Sequence, residues 1–248
     1  MNFWIFGDSF GIPNDVTEYY QELKSLYPTI PDRQDIIGSE WIRHIATHLG
    51  YDYNDDYNLC GYGKSADWYL MRLYRMIHKG AIRPGDFVLI TATAETRFEY
   101  SDNIDKKYKF NDFNPHLKTF QNIFSAASAG PQPPQVPSCL QSYMTLYQDH
   151  TWLAHLHLMK HEMVKGYLHN LGIDNMIVQG IGCRNDELPD NSLGWGKHPS
   201  PYILIDETMS NHGIADDHSF LTYMAFTNHL EPKQNKIYAE QLLEFHKY

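Results

Sequence analysis

The sequence has few cysteines, little basic charge and no long apolar run. Three cysteines, Cys60, Cys139 and Cys183, with no C-x-x-C pair exclude a disulfide framework and a thiolate zinc site. No stretch approaches the roughly 20 apolar residues of a membrane-spanning helix. The segment Met1–Phe6 also lacks the basic region of a signal peptide. We therefore expect a cytoplasmic protein with no membrane span.

Acidic residues outnumber basic ones, with 30 Asp and Glu against 20 Lys and Arg and a net charge of −10. A negative field of this kind repels nucleic-acid backbones and anionic membrane surfaces. We expect no nucleic-acid partner. The 248 residues, 42% of them apolar, are enough to fill a core, which excludes a disordered polymer. The oligomeric state is left open.

Short apolar runs alternate with segments of helical period along the chain. They predict strands at residues 2–6, 57–60, 87–90, 176–178 and 202–205, and helices at 39–50, after the N-cap Ser65, over 150–171 and from Pro232 onward. Repeated β-then-α units are typical of a parallel sheet covered by helices. We predict one three-layer α/β domain over residues 1–248, with a parallel sheet of about five strands.

Residues from about 100 to 148 interrupt this pattern. The stretches Asn111–Pro115 and Gly130–Pro134 are rich in turn-forming residues, which leaves room for one short helix near 116–126. We interpret the region as a loop-rich insertion. Ligands of parallel sheets bind at the carboxyl ends of the strands, so a site is expected in the loops that begin at Gly7, Gly61, Thr91, Gly180 and Asp206.

Ser9 is the first residue whose position suggests catalysis. It follows the first predicted strand directly, in a Gly7-Asp8-Ser9 turn. Nucleophilic catalysis by serine needs a hydroxyl at such a strand end, with N–H donors beside it for the developing oxyanion. The alternative interpretation is an ordinary turn.

Three blocks of the sequence resemble the SGNH (GDSL) hydrolase family. They are Phe6–Phe10, Asn58–Ser65, and a histidine, His229, just before the C-terminal helix. The resemblance implies a flavodoxin-like sheet of order 2-1-3-4-5 and an esterase, lipase or deacetylase acting on a small-molecule or glycan ester. We expect no cofactor, because Gly180-Ile181-Gly182 lacks the wider glycine spacing of a dinucleotide-binding loop. It assigns Ser9 as the nucleophile, His229 as the general base, and the N–H groups of Ser9 and Gly63 to the oxyanion hole.

Thr93 is one departure from the family pattern, because the family has an asparagine after the third strand. The hydroxyl of Thr93 can donate one hydrogen bond to an oxyanion, and the Thr93-to-Arg97 block resembles phage-type members, which keeps association with a virion open. The alternative is a threonine that only caps the next helix.

The second departure concerns the acid that orients the imidazole of His229. Phe226 stands where the family has an aspartate, and losing that function in a triad can cost about four orders of magnitude in rate. Asp216, Asp217 or a backbone carbonyl near Phe226 can take its place, or the site works as a Ser-His pair. His218 is a rival base without the following helix.

Two further hypotheses complete the sequence interpretation. His157 and His161 lie four residues apart on a predicted helix, a spacing that suits zinc, but we expect them on its exposed face and predict no metal site. The side chains expected inward on that helix are Trp152, Leu153, Leu156, Met159, Met163 and Leu168.

The alternative to a hydrolase is a catalytically decayed, virion-associated or binding module that recognises a glycan or protein.

Overall fold

The computed structural model describes residues 1–11, 25, 40–61, 65–93, 97–101, 117–121, 150–179, 199, 201–211, 230 and 232–247. These residues form strands β1 (Phe3–Gly7), β2 (Phe87–Ala92), β3 (Arg97–Ser101), β4 (Leu117–Gln121) and β5 (Asp174–Gln179). They also form helices α1 (Glu40–His48), α2 (Ala66–His78), α3 (His150–Asn170), α4 (Pro201–Asn211) and α5 (Pro232–His246). The described part of the chain contains no helix that is long and apolar enough to cross a bilayer.

A parallel sheet of order β1-β2-β5 lies at the centre of the described residues. Gly7 pairs with Thr91, and Thr91 pairs in turn with Val178. The strands are buried along nearly their whole length, which explains why they read as continuous apolar runs instead of alternating ones. Strands β1, β2 and β5 are the first, third and fourth predicted strands. The observed order is therefore the 1-3-4 part of the predicted order 2-1-3-4-5.

The segment predicted as a second strand lies along the free edge of β1 but is not a regular strand. Asp55–Tyr57 forms a 3₁₀ turn, and the chain then runs parallel to β1 with a bridge between Ile5 and Asn58. The N–H of Leu59 donates to the carbonyl of Ile5 at 2.8 Å, and the N–H of Gly61 donates to the carbonyl of Gly7 at 3.1 Å. This segment therefore follows β1 to its carboxyl end.

The side chains of the sheet alternate between two buried layers. Those of Phe3, Ile5 and Leu89 pack with α1, α4 and α5, whereas those of Trp4, Phe6 and Ile90 pack with α2 and α3. This alternation follows from the two-residue period of a strand. The three-layer α/β arrangement expected from the sequence is thus present in the described residues.

The prediction of a fifth strand at residues 202–205 is wrong, because these residues lie within helix α4. Leu204 and Ile205 are buried while Ile203 is 64% exposed, which is the pattern of one helix face. A short apolar run does not distinguish a buried strand from a helix, and Pro201 suits the first turn of a helix. A five-stranded sheet is not observed among the described residues.

The helix expected near 116–126 is also wrong. Leu117–Gln121 forms strand β4, which pairs antiparallel with β3 from Arg97 against Gln121 to Ser101 against Leu117. The alternation of polar and aromatic residues from Arg97 to Ser101 has the period of a strand. A hairpin therefore enters the region interpreted as loop-rich.

Gly7 fixes how closely β1 and β2 approach at their carboxyl ends. Its φ is +149°, and a Cβ atom there would overlap the side chain and carbonyl of Thr91. We expect Gly7→Ala to lower the free energy of unfolding by at least about 2 kcal/mol, through backbone strain and overpacking together.

Urea denaturation measures this loss. Gly166→Ala is the matched control, since it lies in the interior of α3 with nothing near its added methyl group. That variant should gain roughly 0.5–1 kcal/mol. A Gly7→Ala protein as stable as wild type would show that the close approach is not required.

Candidate functional site

The carboxyl edge of the parallel sheet brings several polar residues together. Asp8 and Ser9 follow β1, Thr93 follows β2, and Gln179 ends β5. Gly61 is bonded to Gly7 at the same edge. This is the edge at which α/β proteins of this kind bind their ligands.

The backbone of Ser9 opens a 3₁₀ turn, Ser9–Gly11, immediately after β1. Asp8 shapes the turn: its Oδ1 accepts the N–H of Phe10 at 3.1 Å, and its carbonyl accepts the N–H of Gly11 at 3.2 Å. Asp8 is buried, so its carboxylate bonds within the turn and does not face solvent. The turn that was predicted from Gly-Asp-Ser is therefore held by hydrogen bonds of its own.

Asn58 fixes the far end of the same turn. Its Nδ2 donates to the carbonyl of Gly11 at 2.6 Å, and its Oδ1 accepts the N–H of Cys60 at 3.2 Å. A Cβ on Gly11 would overlap the sulfur of Cys60 and press on Thr91. The turn is thus clamped between the 58–61 segment and β2.

Cys60 lies beside this turn and is the one thiol among the described residues. Burial, followed by the negative charge of Asp8, raises the pKa of the thiol, while Thr91 and Arg72 act in the opposite direction. A thiol protonated at neutral pH is a poor nucleophile. Cys60 is therefore a buried packing residue and a poor candidate for a nucleophile.

The residues that follow Ser9 and His229 in sequence belong to the same buried cluster. Phe10 stacks on Trp41 with ring centroids 5.3 Å apart and meets Tyr238 edge-on at 5.9 Å. Leu230 is buried in this cluster. The chain next to the predicted base and the chain next to the predicted nucleophile therefore share one part of the core.

Asn235 holds this junction together from inside α5. It is fully buried; its Nδ2 donates to the carbonyl of Leu230 at 2.8 Å, and its Oδ1 accepts the N–H of Trp41 at 3.1 Å. One side chain thus connects the start of α1 with the residue that follows His229. The Tyr238 hydroxyl adds a bond to the carbonyl of Gln179 at 3.0 Å, which ties α5 to the end of β5.

The structure describes only some of the predicted site residues. The backbone of Ser9 and the whole of Thr93 are described, and Thr93 is buried. Residues outside the described set are Gly63, Asp216, Asp217, His218, Phe226 and His229. The helix that a capping role for Thr93 would require does not form at 97–101, which is strand β3.

His157 and His161 are buried, so their expected exposure on α3 is wrong. Met159 and Met163, expected inward, are instead 56% and 69% exposed. His161 forms a 2.8 Å hydrogen bond between its Nε2 and the hydroxyl of Tyr69, and its Nδ1 bonds the carbonyl of His157 at 2.7 Å. No group of three metal-ligating side chains occurs within the described ranges.

The hydrogen bonds determine the tautomer of His161. A carbonyl only accepts, so Nδ1 carries the proton, and Nε2 of the neutral ring accepts from the Tyr69 hydroxyl. Burial lowers the pKa of His161 to about 4, and the nearby Lys160 contributes in the same direction. Burial also lowers the pKa of His157. Both imidazoles are therefore neutral at pH 7.

Sequence reasoning predicted none of the hydrogen bonds that are formed by Asn58, Tyr69, His161 and Asn235. Each is a polar residue at an inward position of the fold, and each acts on a residue distant in sequence. The available signal was a polar side chain within an otherwise apolar helix face, as at Tyr69 and Asn235.

We expect acid to destabilise the protein through His161. Its folded pKa of about 4 lies below the ordinary 6.5, so the unfolded chain binds the proton first. The free energy of unfolding should fall by roughly 3 kcal/mol from this group as the pH drops from 6.5 to 4.

Urea denaturation across that pH range measures the effect. The pH dependence should be smaller in His161→Gln and unchanged in His169→Gln, an exposed histidine on the same helix. Equal pH dependence in wild type and His161→Gln would contradict the assignment.

We expect Asn235→Ala to lower the free energy of unfolding by about 2–4 kcal/mol, because it leaves a buried N–H and a buried carbonyl without partners. Gln241→Ala, which truncates an exposed amide on the same helix, should change stability by less than about 0.5 kcal/mol. Thermal or urea unfolding compares the two. Similar losses in both variants would show that the Asn235 bonds do not stabilise the junction.

The comparisons with known proteins add no neighbour from which a role can be read. No protein-family model and no curated protein matches the chain.

Proposed function

We propose that the protein is a serine-dependent hydrolase of small-molecule or glycan esters, of the SGNH type. Ser9 attacks the acyl carbonyl while His229 takes its proton and passes it to the leaving alcohol. Water then attacks the acyl-enzyme, with His229 again accepting and returning a proton, so that Ser9 is regenerated. The N–H groups of Ser9 and Gly63 and the hydroxyl of Thr93 stabilise the oxyanion.

The observation that carries the proposal is the shared cluster next to the two reacting residues. Phe10 and Leu230 are sequence neighbours of Ser9 and His229 and are buried together with Trp41 and Tyr238. Asn235 bonds the Leu230 carbonyl. The described neighbours of the two proposed reacting residues are therefore buried in one cluster, which supports the proposal that Ser9 and His229 act together.

The oxyanion donors are supported by the sheet edge. The Gly61 N–H is bonded to Gly7, so the chain leading to Gly63 passes the end of β1. Thr93 follows the neighbouring strand β2. We propose that donors from both sides of β1 stabilise the negative charge that develops next to Ser9.

The proposal extends to the finer fold and to the orientation of the base. A flavodoxin-like order 2-1-3-4-5 agrees with the 58–61 segment beside β1 and with the order β1-β2-β5. Asp216, Asp217 or a backbone carbonyl orients His229 in place of the missing aspartate.

A fluorophosphonate probe tests the nucleophile. Wild type should be labelled on Ser9 and should hydrolyse p-nitrophenyl acetate, and Ser9→Ala should lose both the label and at least about 99.9% of the hydrolysis rate. Ser210→Ala, which removes an exposed hydroxyl on α4, is the control and should behave as wild type.

Equal labelling of wild type and Ser9→Ala would remove Ser9 from the mechanism. A folded wild-type protein that neither takes the probe nor hydrolyses esters would overturn the hydrolase proposal, and is the outcome expected of a binding module. Peptide mapping of the labelled protein identifies the modified serine.

A further inference from the structure

We infer that Asn58 is a positioning residue of the proposed hydrolase. Its side-chain amide fixes the turn that opens at Ser9 against the segment 58–61, which precedes Gly63 in the sequence. The inference rests on the function proposed above and deepens it, since it names the side chain that sets the nucleophile against an oxyanion donor. Asn58 acts through the backbone and not on the substrate.

The two backbone partners of Asn58 determine how its amide is oriented. A carbonyl oxygen only accepts, so Nδ2 faces the carbonyl of Gly11, to which it donates at 2.6 Å. A backbone N–H only donates, so Oδ1 faces the N–H of Cys60, from which it accepts at 3.2 Å. The amide therefore uses its donor for the Ser9 turn and its acceptor for its own segment.

The turn that opens at Ser9 is held at both of its ends. Asp8 accepts the N–H of Phe10 at 3.1 Å through its carboxylate and the N–H of Gly11 at 3.2 Å through its carbonyl. Asn58 holds the far end through the carbonyl of Gly11. Ser9 lies between these anchors, so a shift of its backbone strains or breaks one of these bonds.

The segment that carries Asn58 is itself fixed to the sheet, because two of its backbone N–H groups donate to carbonyls of β1. The bond from Asn58 to Gly11 joins residues 47 positions apart in the sequence. The turn and the segment also touch directly, since a Cβ on Gly11 would overlap the sulfur of Cys60. A displacement of the turn is therefore coupled to a displacement of the segment.

Acyl transfer makes this relative placement matter. The attacking oxygen and the oxyanion donors must meet the same carbonyl group, and a misplacement of about 1 Å can cost about a hundredfold in rate. Ser9 belongs to the turn, whereas Gly63 follows the segment in the sequence. Asn58 bonds to both parts with one planar amide.

Asn58→Asp tests the inference, because it replaces the Nδ2 donor with a carboxylate oxygen of nearly the same size. At pH 7 that oxygen and the Gly11 carbonyl are both acceptors and repel each other. We expect kcat for p-nitrophenyl acetate to fall by about tenfold to a hundredfold, with KM changed by less than about twofold. A wild-type kcat in this variant would overturn the inference.

Asn54→Asp is the matched control, since it makes the same change of amide to carboxylate in the same region. The Oδ1 of Asn54 accepts the N–H of Asp56 at 2.9 Å, and a carboxylate accepts this bond equally well. The control should keep the wild-type kcat. Equal losses in both variants would assign the effect to the added negative charge and not to the lost donor, which refutes the inference.

The pH dependence separates positioning from a general loss of structure. A protonated carboxyl group has an O–H and can donate to the Gly11 carbonyl as the amide does. The kcat of Asn58→Asp relative to wild type, normalised to the fraction of each protein that fluorophosphonate labels at completion, should rise by at least about threefold from pH 7 to pH 5. A ratio that stays constant over this range contradicts a positioning role.

Asn58→Ser replaces this variant if Asn58→Asp does not fold, with Asn54→Ser as its control. A serine hydroxyl at position 58 is too short to reach Gly11, so the same loss of kcat is expected, whereas serine at position 54 still caps the turn that follows it. A wild-type kcat in Asn58→Ser would again refute the inference.

The two proposals fail in different ways. A wild-type protein that hydrolyses no ester and takes no fluorophosphonate refutes the hydrolase and this inference with it. A labelled and active wild type whose Asn58→Asp variant is also fully active refutes the inference alone.

Discussion

The close contact between Gly7 and Thr91 is the constraint on which the rest of the structure depends. The two residues pair at the carboxyl ends of β1 and β2, and only a residue without a side chain leaves room for Thr91 there. This approach sets where the turn after β1 begins. Asp8, Gly11, Asn58 and Cys60 are then packed around that turn in a single arrangement.

The described residues around the candidate site are placed by the core. Phe10 anchors one side of the Ser9 turn among Trp41 and Tyr238, and Asn235 ties Leu230 to the same layer. On the opposite face of the sheet, Tyr69 and His161 hold the end of β2. Residues placed by packed secondary structure keep their geometry better than residues on loops.

The sequence was sufficient to predict a helix or strand wherever its local pattern agrees with the burial of its residues. The buried strands at residues 3–7, 87–92 and 174–179, the Ser65 cap of α2 and helix α3 all lie close to their predicted places. It failed where a pattern fits two structures: residues 202–205 pack as a helix face. In α3, apolar residues occur on every side, so flexible methionines were expected inward and two neutral histidines took their place. The roles of Asn235 and His161 depend on partners 194 and 92 residues away, which no local pattern reveals.

The alternation of β1 between two separate layers has a consequence for how this chain can diverge. Ile5 and Phe6 belong to different cores, so inserting or deleting one residue in the opening strand would exchange their environments and move glycine away from its partner. Such length changes would be tolerated in surface connections but not here. The spacing between Phe3 and the turn at Ser9 is therefore expected to vary little during evolution.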